Sequence, residues 1–226
     1  MGEIVTFPSN GAQGQGYLAS PQGGSGPGVV VIQEWWGLVD HIKDVCERFA
    51  AQGFVALAPD LYRGESVREP DEAAKKMMAM RLDQVGRDMS GAVDCVRQRA
   101  SGERVGVVGF CMGGGLAFML GCQRPEAVGA VVAYYGVIPW PEAQPDWSAL
   151  SAPVLGHFAG NDTFFTPEGV AELEGRLSDL GKDVEFHVYE GVEHAFFNDT
   201  RPEVYDAELS ERTWTQTLAF LRRELD

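Results

Sequence analysis

Short apolar runs recur along the chain, separated by segments in which apolar residues repeat at helical spacing. The runs cover residues 4–7, 29–32, 54–58, 105–108, 128–134, 153–158 and 184–189. Several are nearly continuous in Val, Ala and Leu, which is typical of parallel strands covered on both faces. The pattern therefore predicts a strand at each run and a mainly parallel sheet.

The segments between these runs predict helices over 40–52, 83–99, 113–123, 168–180 and 203–225. In the first of them, Ile42 and Phe49 share one face, Asp40 is the expected N-cap and Gly53 the stop. Strands that alternate with helices predict an α/β fold with helices on both faces of the sheet. We expect one domain over residues 1–226.

Two long connections follow predicted strands, at 59–72 and 136–152. Long loops at strand ends are where the sites of α/β proteins are usually built. The glycine-rich stretch 23–28 is short, so it is interpreted as a turn between two early strands and not as a linker between domains.

Composition and charge restrict the function. Hydrophobic residues make up 45% of the chain, enough for a large core, and the formal net charge is −15. This charge disfavours nucleic acid and anionic membrane surfaces as partners. The N-terminus has neither a basic start nor an apolar run, and no segment has the apolar length of a membrane span. We expect a cytoplasmic protein.

The strand predicted over 105–108 is followed by Gly109-Phe110-Cys111-Met112-Gly113 and then by a helix. Gly-x-Cys-x-Gly in this context is the nucleophile elbow of hydrolases, with cysteine in place of serine. A turn this tight needs glycines on both sides of the nucleophile. The free N–H groups at the start of the helix stabilise negative charge on the sulfur and on a developing oxyanion. Cys111 is therefore the candidate nucleophile.

An elbow nucleophile requires an acid and a histidine later in the chain, in that order. Asp162 follows the strand predicted over 153–158, and His194 follows the one over 184–189. Parallel strands end at the same edge of a sheet, so both side chains are expected near Cys111. The order and placement predict a Cys-His-Asp triad.

The other histidines and cysteines fit structural roles better. Two histidines fall inside predicted strands and one at a helix start: His157, His187 and His41. The remaining cysteines lie in helical patterns without any Cys-x-x-Cys spacing: Cys46, Cys95 and Cys122. Buried packing is the usual role of such cysteines.

A carboxylate and two tryptophans follow the strand at 29–32. Glu34 either accepts or holds the proton of the Cys111 thiol, or is a solvated loop residue; the sequence leaves both open. Trp35 and Trp36 are bulky enough to line an apolar pocket. In hydrolases with an elbow, the loop after this strand supplies the second oxyanion donor.

With these motifs, the chain resembles the dienelactone hydrolase family (carboxymethylenebutenolidases) of the α/β-hydrolase superfamily over essentially its whole length. The matching stretches are residues 33–37, 58–62, 109–114, 134–136, 160–162 and 194–196. The resemblance implies a single α/β-hydrolase domain with little or no cap. It also implies that Cys111, His194 and Asp162 form the triad.

The resemblance further implies that Glu34 interacts with the thiol and keeps it poorly reactive until substrate binds. The oxyanion donors would be the backbone N–H groups of Trp35 and Met112. The substrate pocket would include Trp36, Tyr135 and Asn198.

The chain departs from the best-known family members in the residues that bind the substrate carboxylate. Two arginines of those members correspond here to about Pro70 and to Asn198, and a tyrosine corresponds to Ala74. We therefore expect a preference for neutral substrates, unless an arginine of the segment after Asp60 replaces the missing pair. The candidates are Arg63, Arg68 and Arg81.

The sequence thus predicts a hydrolase that cleaves a small ester or lactone through a cysteine nucleophile, without metal or organic cofactor. We expect a monomer or small homo-oligomer, with no nucleic-acid or membrane partner. Two alternatives stay open: a thiol enzyme for redox chemistry or acyl transfer, and a non-catalytic protein that uses the fold to bind a ligand.

Overall fold

The computed structural model describes residues 1–225. Its strands are β1 (Glu3–Ser9), β2 (Ala12–Ala19), β3 (Gly28–Ile32), β4 (Val55–Pro59), β5 (Val105–Phe110), β6 (Val128–Tyr134), β7 (Val154–Ala159) and β8 (Val184–Tyr189). Its helices are α1 (Asp40–Ala51), α2 (Pro70–Met78), α3 (Leu82–Arg97), α4 (Met112–Gln123), α5 (Pro167–Asp179) and α6 (Ala207–Leu225). Two 3₁₀ turns, Pro141–Ala143 and Trp147–Ala149, lie between β6 and β7.

The strands form one sheet in the order β1-β2-β4-β3-β5-β6-β7-β8. The ladders from β4 to β8 are parallel, while β2 pairs antiparallel with both β1 and β4. The predicted α/β fold with a mainly parallel sheet is confirmed. Every residue of β3, β5 and β6 is buried, which explains their continuous apolar sequences.

Two elements were not predicted. In β2 the buried face carries Gly14, Gly16 and Leu18, so the strand lacks the branched side chains that normally signal one. In α2, Ala73 is the one buried side chain, because the helix lies on the surface between β4 and α3. Asp40 was expected as an N-cap; it is the first helical residue instead, after Val39, and it accepts a hydrogen bond from Lys43.

Helices pack on both faces of the sheet. On one face α1 and α6 meet through the rings of Phe49 and Trp214, whose centroids are 4.4 Å apart. On the other, α3 packs against α4, and Phe118 of α4 contacts Phe186 of β8. The parallel strands β3, β5, β6, β7 and β8 all end at one edge, where the candidate residues gather. Within residues 1–225 no helix combines the length and the apolar character needed to cross a membrane.

Candidate active site

Cys111 occupies a tight turn between β5 and α4. Its backbone has φ 54° and ψ −121°, a strained conformation for a residue with a side chain. A Cβ on Gly109 would overlap the carbonyl of Gly113, and one on Gly113 would overlap the carbonyls that end β3. The two glycines therefore let β5 turn directly into α4 against β3. This geometry agrees with the elbow predicted from the sequence.

Cys111 lies at the N-terminus of α4, and the residue is 5% exposed. Its N–H donates to the carbonyl of Tyr134, and its own carbonyl accepts from Gly114. The turn is therefore fixed on both sides. Such a position places the sulfur next to the unpaired N–H groups of the first helical turn.

His194 and Asp162 are joined by a hydrogen bond of 2.6 Å between Nδ1 and Oδ2. Asp162 follows β7 and is buried, whereas the side chain of His194, which follows β8, keeps 20% of its surface exposed. Two further contacts tie the loops together: Gly160 N–H donates to Tyr189, and Asn161 N–H donates to Val192. The structure thus brings the predicted acid and histidine together.

The surroundings of His194 favour its charged form. Burial by itself lowers the pKa, but the negative charge of Cys111 and the hydrogen bond to Asp162 raise the pKa of His194 to about 10. An imidazole that responds to the charge of the sulfur lies close enough to pair with a thiolate. The Asp162 carboxylate and the Cys111 sulfur therefore both favour a charged imidazole at His194.

Glu34 is buried at the end of β3 and is therefore not a solvated loop residue. Its Oε2 accepts a hydrogen bond of 2.7 Å from Asn198 Nδ2, and its Oε1 accepts one of 3.3 Å from the hydroxyl of Tyr135. Burial, and then the charges of Glu34 and Cys111, raise the pKa of Tyr135 well above its usual value, so its phenol stays a donor. Tyr135 thus lies within the electrostatic range of both Glu34 and Cys111.

The predicted oxyanion donors lie on the two segments that meet at the elbow. Met112 is the first residue of α4, so its N–H precedes the intrahelical hydrogen bonds. Within the described chain the N–H of Trp35 has no hydrogen-bond acceptor. Since Gly113 packs against the carbonyls of Ile32 and Gln33, these segments are in direct contact. Both groups remain free to bind an oxyanion.

A cavity of about 870 Å³ opens beside His194. It is lined by Trp35, Trp36, Val39, Val67, Arg68, Pro70, Asn161, Thr163, Phe164, Glu193, Asn198, Thr200, Arg201, Glu203 and Val204 as well. Of the expected pocket residues, Trp36 and Asn198 contribute to its wall. Tyr135 is fully buried beneath His194, with ring centroids 5.1 Å apart, and is not among the lining residues.

Several residues of this cavity were missed or left undecided by the sequence, among them Phe164, Arg68 and Arg201. Phe164 follows Asp162 by two positions, which was the available signal for it. Of the three arginines proposed to replace the missing pair, Arg68 lines the cavity. Arg63 pairs with Asp88 instead, and Arg81 pairs with Asp83. Arg201 also lines the cavity and pairs with Glu203.

The remaining histidines lie outside this cluster. His41 is buried in α1 and pairs with Asp199 at 3.1 Å, and His187 pairs with Glu185 at 2.9 Å. His157 is buried in β7, with Nδ1 2.9 Å from the hydroxyl of Tyr189. Across residues 1–225 no group of three His, Cys, Asp or Glu side chains is arranged to hold a metal ion.

Comparison with known proteins connects this geometry to one family. The model of the dienelactone hydrolase family matches residues 15–225. "Protein usf" of Aquifex pyrophilus is 38% identical, and "Putative carboxymethylenebutenolidase" of Aquifex aeolicus is 36% identical; both alignments cover 100% of each chain. A crystal structure from Klebsiella pneumoniae named "Putative Dienelactone Hydrolase" superposes with a TM-score of 0.89 at 28% identity, covering 98% of each chain.

Proposed function

The chain belongs to the dienelactone hydrolase family and is an ester or lactone hydrolase; on that premise we propose that Cys111 is its nucleophile, with His194 and Asp162 completing a triad. The observation that carries the proposal is the 2.6 Å hydrogen bond between His194 Nδ1 and Asp162 Oδ2, at the sheet edge where the elbow of Cys111 lies. The strained elbow supplies the sharp strand-to-helix turn on which such a nucleophile is placed.

In the first step the Cys111 thiolate attacks the substrate carbonyl carbon, and the carbonyl oxygen becomes an oxyanion. The N–H groups of Trp35 and Met112 donate to that oxygen. When the intermediate collapses, the bond to the leaving alkoxide breaks and the His194 imidazolium gives it a proton. The products are a thioester on Cys111 and a free alcohol, or a ring-opened hydroxyl if the substrate is a lactone.

In the second step the neutral His194 takes a proton from water as the water attacks the thioester. Collapse of this intermediate releases the carboxylic acid and restores the thiolate and imidazolium. Asp162 holds Nδ1–H throughout, so Nε2 remains the atom that exchanges protons. Each turnover consumes one water and leaves the enzyme unchanged, and no step requires a metal or organic cofactor.

We propose two further assignments for the substrate site. Glu34, held by Tyr135 and Asn198, restrains the reactivity of Cys111 in the free enzyme. The cavity takes neutral esters or lactones in preference to anionic ones, because Asn198 binds Glu34 and no cation occupies its position. Trp35 and Trp36 supply the apolar surface for such substrates.

Substitution of the triad tests the proposal. Cys111→Ala and His194→Ala are each expected to lower kcat/KM for activated esters by at least about 10³-fold, with an unchanged melting temperature. Asp162→Asn should cost less, since the imidazole keeps a neutral partner. The measurement is steady-state hydrolysis of a panel of aryl esters and lactones. Near wild-type turnover by Cys111→Ala would show that another residue is the nucleophile.

A further inference from the structure

Phe164 is the most exposed aromatic side chain at the candidate active site. Its side chain lines the cavity and is 67% exposed, whereas the neighbouring Phe165 is buried. An exposed phenyl ring gains nothing from the hydrophobic effect in the free protein. Its position beside His194 is therefore better explained by something that covers it than by packing of the fold.

The loop of Phe164 is held by the same carboxylate that orients the histidine. Asp162 Oδ1 accepts the N–H of Phe164 at 2.8 Å and that of Phe165 at 3.0 Å, while Oδ2 binds His194. Directly after this turn, Thr166 caps α5 by accepting the N–H of Gly169. The backbone of Phe164 is thus fixed at both ends, so its ring has a defined place relative to His194.

The ring of Phe164 extends an aromatic wall across the entrance of the cavity. Its centroid lies 5.8 Å from that of Trp35 in an edge-to-face arrangement, and Trp35 lies 5.2 Å from Trp36 in a similar one. On its other side Phe164 is 6.0 Å from the His194 ring. The wall therefore extends from the imidazole of His194 to Trp35, whose N–H is a candidate oxyanion donor.

From this arrangement we infer that Phe164 is a specificity-determining residue, and that the wall of Phe164, Trp35 and Trp36 binds an aromatic ring of the substrate. The preferred substrates are neutral esters or lactones that carry an aryl group within reach of the scissile carbonyl. Aromatic rings gain contact energy from edge-to-face neighbours beyond what an equally large aliphatic ring gains. Two experiments test this inference, one by turnover and one by ligand binding. The turnover experiment rests on the proposed function, and the binding experiment does not.

The turnover experiment compares substrates that differ in aromaticity alone. Methyl phenylacetate is paired with methyl cyclohexylacetate, and benzyl acetate with cyclohexylmethyl acetate, with acid release followed by pH-stat. We expect kcat/KM to favour the aryl member of at least one pair by about tenfold, mostly through KM. Phe164→Ala should remove the preference and Phe164→Tyr should keep it. Val188→Ala, which removes an exposed apolar side chain from β8, is the matched control and should change neither pair.

The binding experiment needs no turnover. Acetophenone and cyclohexyl methyl ketone are titrated into wild type and into Phe164→Ala, with tryptophan fluorescence as the signal. Tighter binding of acetophenone by wild type, lost in the variant, supports the inference even if Cys111→Ala were to disprove the proposed nucleophile.

Three results would overturn the inference. The first is an unchanged aryl preference in Phe164→Ala, and the second is no aryl preference in wild type in either experiment. The third is an equal loss of kcat/KM on both members of each pair, accompanied by a change of oligomeric state in size-exclusion chromatography. The third result would show that Phe164 contacts another copy of the chain and not the substrate.

Discussion

At the scale of single residues, the hydrogen-bond partners of the Glu34 carboxylate distinguish this site. A buried carboxylate usually has a cation as its partner, because an uncompensated charge is costly to bury. Here both oxygens are bound by neutral groups, the hydroxyl of Tyr135 and the amide of Asn198. Asn198 Oδ1 in turn accepts from the N–H and the hydroxyl of Thr200, so its amide is held in one orientation. Among the described residues no cation pairs with Glu34, so we expect its carboxylate to disfavour negative charge on Cys111.

A test of this arrangement is the rate at which Cys111 is alkylated. Glu34→Gln keeps the shape of the side chain and removes the repulsion between the carboxylate and the thiolate. Iodoacetamide should therefore react with Cys111 about tenfold faster near neutral pH, the equivalent of roughly 1.4 kcal/mol. The rate is followed from pH 5 to 9 by mass spectrometry. Glu172→Gln, which changes an exposed carboxylate on α5, serves as the control and should behave as wild type. Superimposable profiles for wild type and Glu34→Gln would mean that Glu34 does not act on the thiol.

The residues of the site also show how much of it could be predicted from the sequence. The shared location of Cys111, Asp162 and His194 was predictable, because each follows a predicted parallel strand and such strands end at the same edge of the sheet. The partners of Glu34 were not, since Asn198 lies 164 positions away from it and only the folded loops bring them together. Tyr135 was expected in the apolar pocket, but it is fully buried after β6 and does not line the cavity.

At the scale of elements, prediction followed the strength of the hydrophobic pattern. The fully buried strands β3, β5 and β6 have continuous apolar sequences and were found with small errors at their ends. The strand β2 was missed because glycines let it pack closely against β1 and β4, where branched side chains would not fit. The helix α2 was missed because its contact with the core is small: Ala73 is its one buried residue, and Met77 is only partly buried. The strands that precede Cys111 and Asp162, β5 and β7, are buried throughout, whereas β8, which precedes His194, is only partly buried.

Strand β7 contains a buried histidine whose protonation should affect stability. Burial, and then the charges of His187 and Arg212, lower the pKa of His157 to about 3. Between about pH 6.5 and 3 the unfolded chain binds a proton at this residue that the folded chain does not. Its contribution to stability is therefore lost as the pH falls through that range, by up to about 1.4 kcal/mol per pH unit.

This prediction is checked by urea unfolding of wild type and His157→Gln at pH 4, 5, 6 and 7. Glutamine retains a hydrogen-bonding group for Tyr189 but cannot titrate. The difference in unfolding free energy between the two proteins should narrow as the pH falls, because wild type alone has this proton to bind. Curves that stay parallel over the whole range would contradict the assignment. Changes shared by both proteins would come from other groups and do not affect the comparison.

At the scale of the whole molecule, the net charge of −15 opposes the two arginines of the cavity. The molecular field repels anions over distance, although salt screens it beyond about 8–10 Å. Arg201 is already paired with Glu203, and the carboxylate of Glu193 also lines the cavity. Arg68 is exposed and is thus the cation best placed to receive a substrate carboxylate. The balance of these charges decides whether anionic substrates enter.

We expect neutral substrates to be preferred, and the comparison is between a dienelactone and a neutral lactone of similar size. The neutral lactone should show the higher kcat/KM at low salt. Added salt should raise kcat/KM for the dienelactone alone, because only the charged substrate is repelled by the molecular field. The difference in kcat/KM between the two substrates should therefore become smaller. Arg68→Gln should leave the neutral lactone unaffected and Arg63→Gln, whose guanidinium is held by Asp88, should alter neither substrate. A dienelactone advantage of about tenfold or more in wild type, abolished by Arg68→Gln, would contradict the expected preference. It would instead identify Arg68 as the group that binds the carboxylate, with a local ion pair that outweighs the repulsion of the whole molecule.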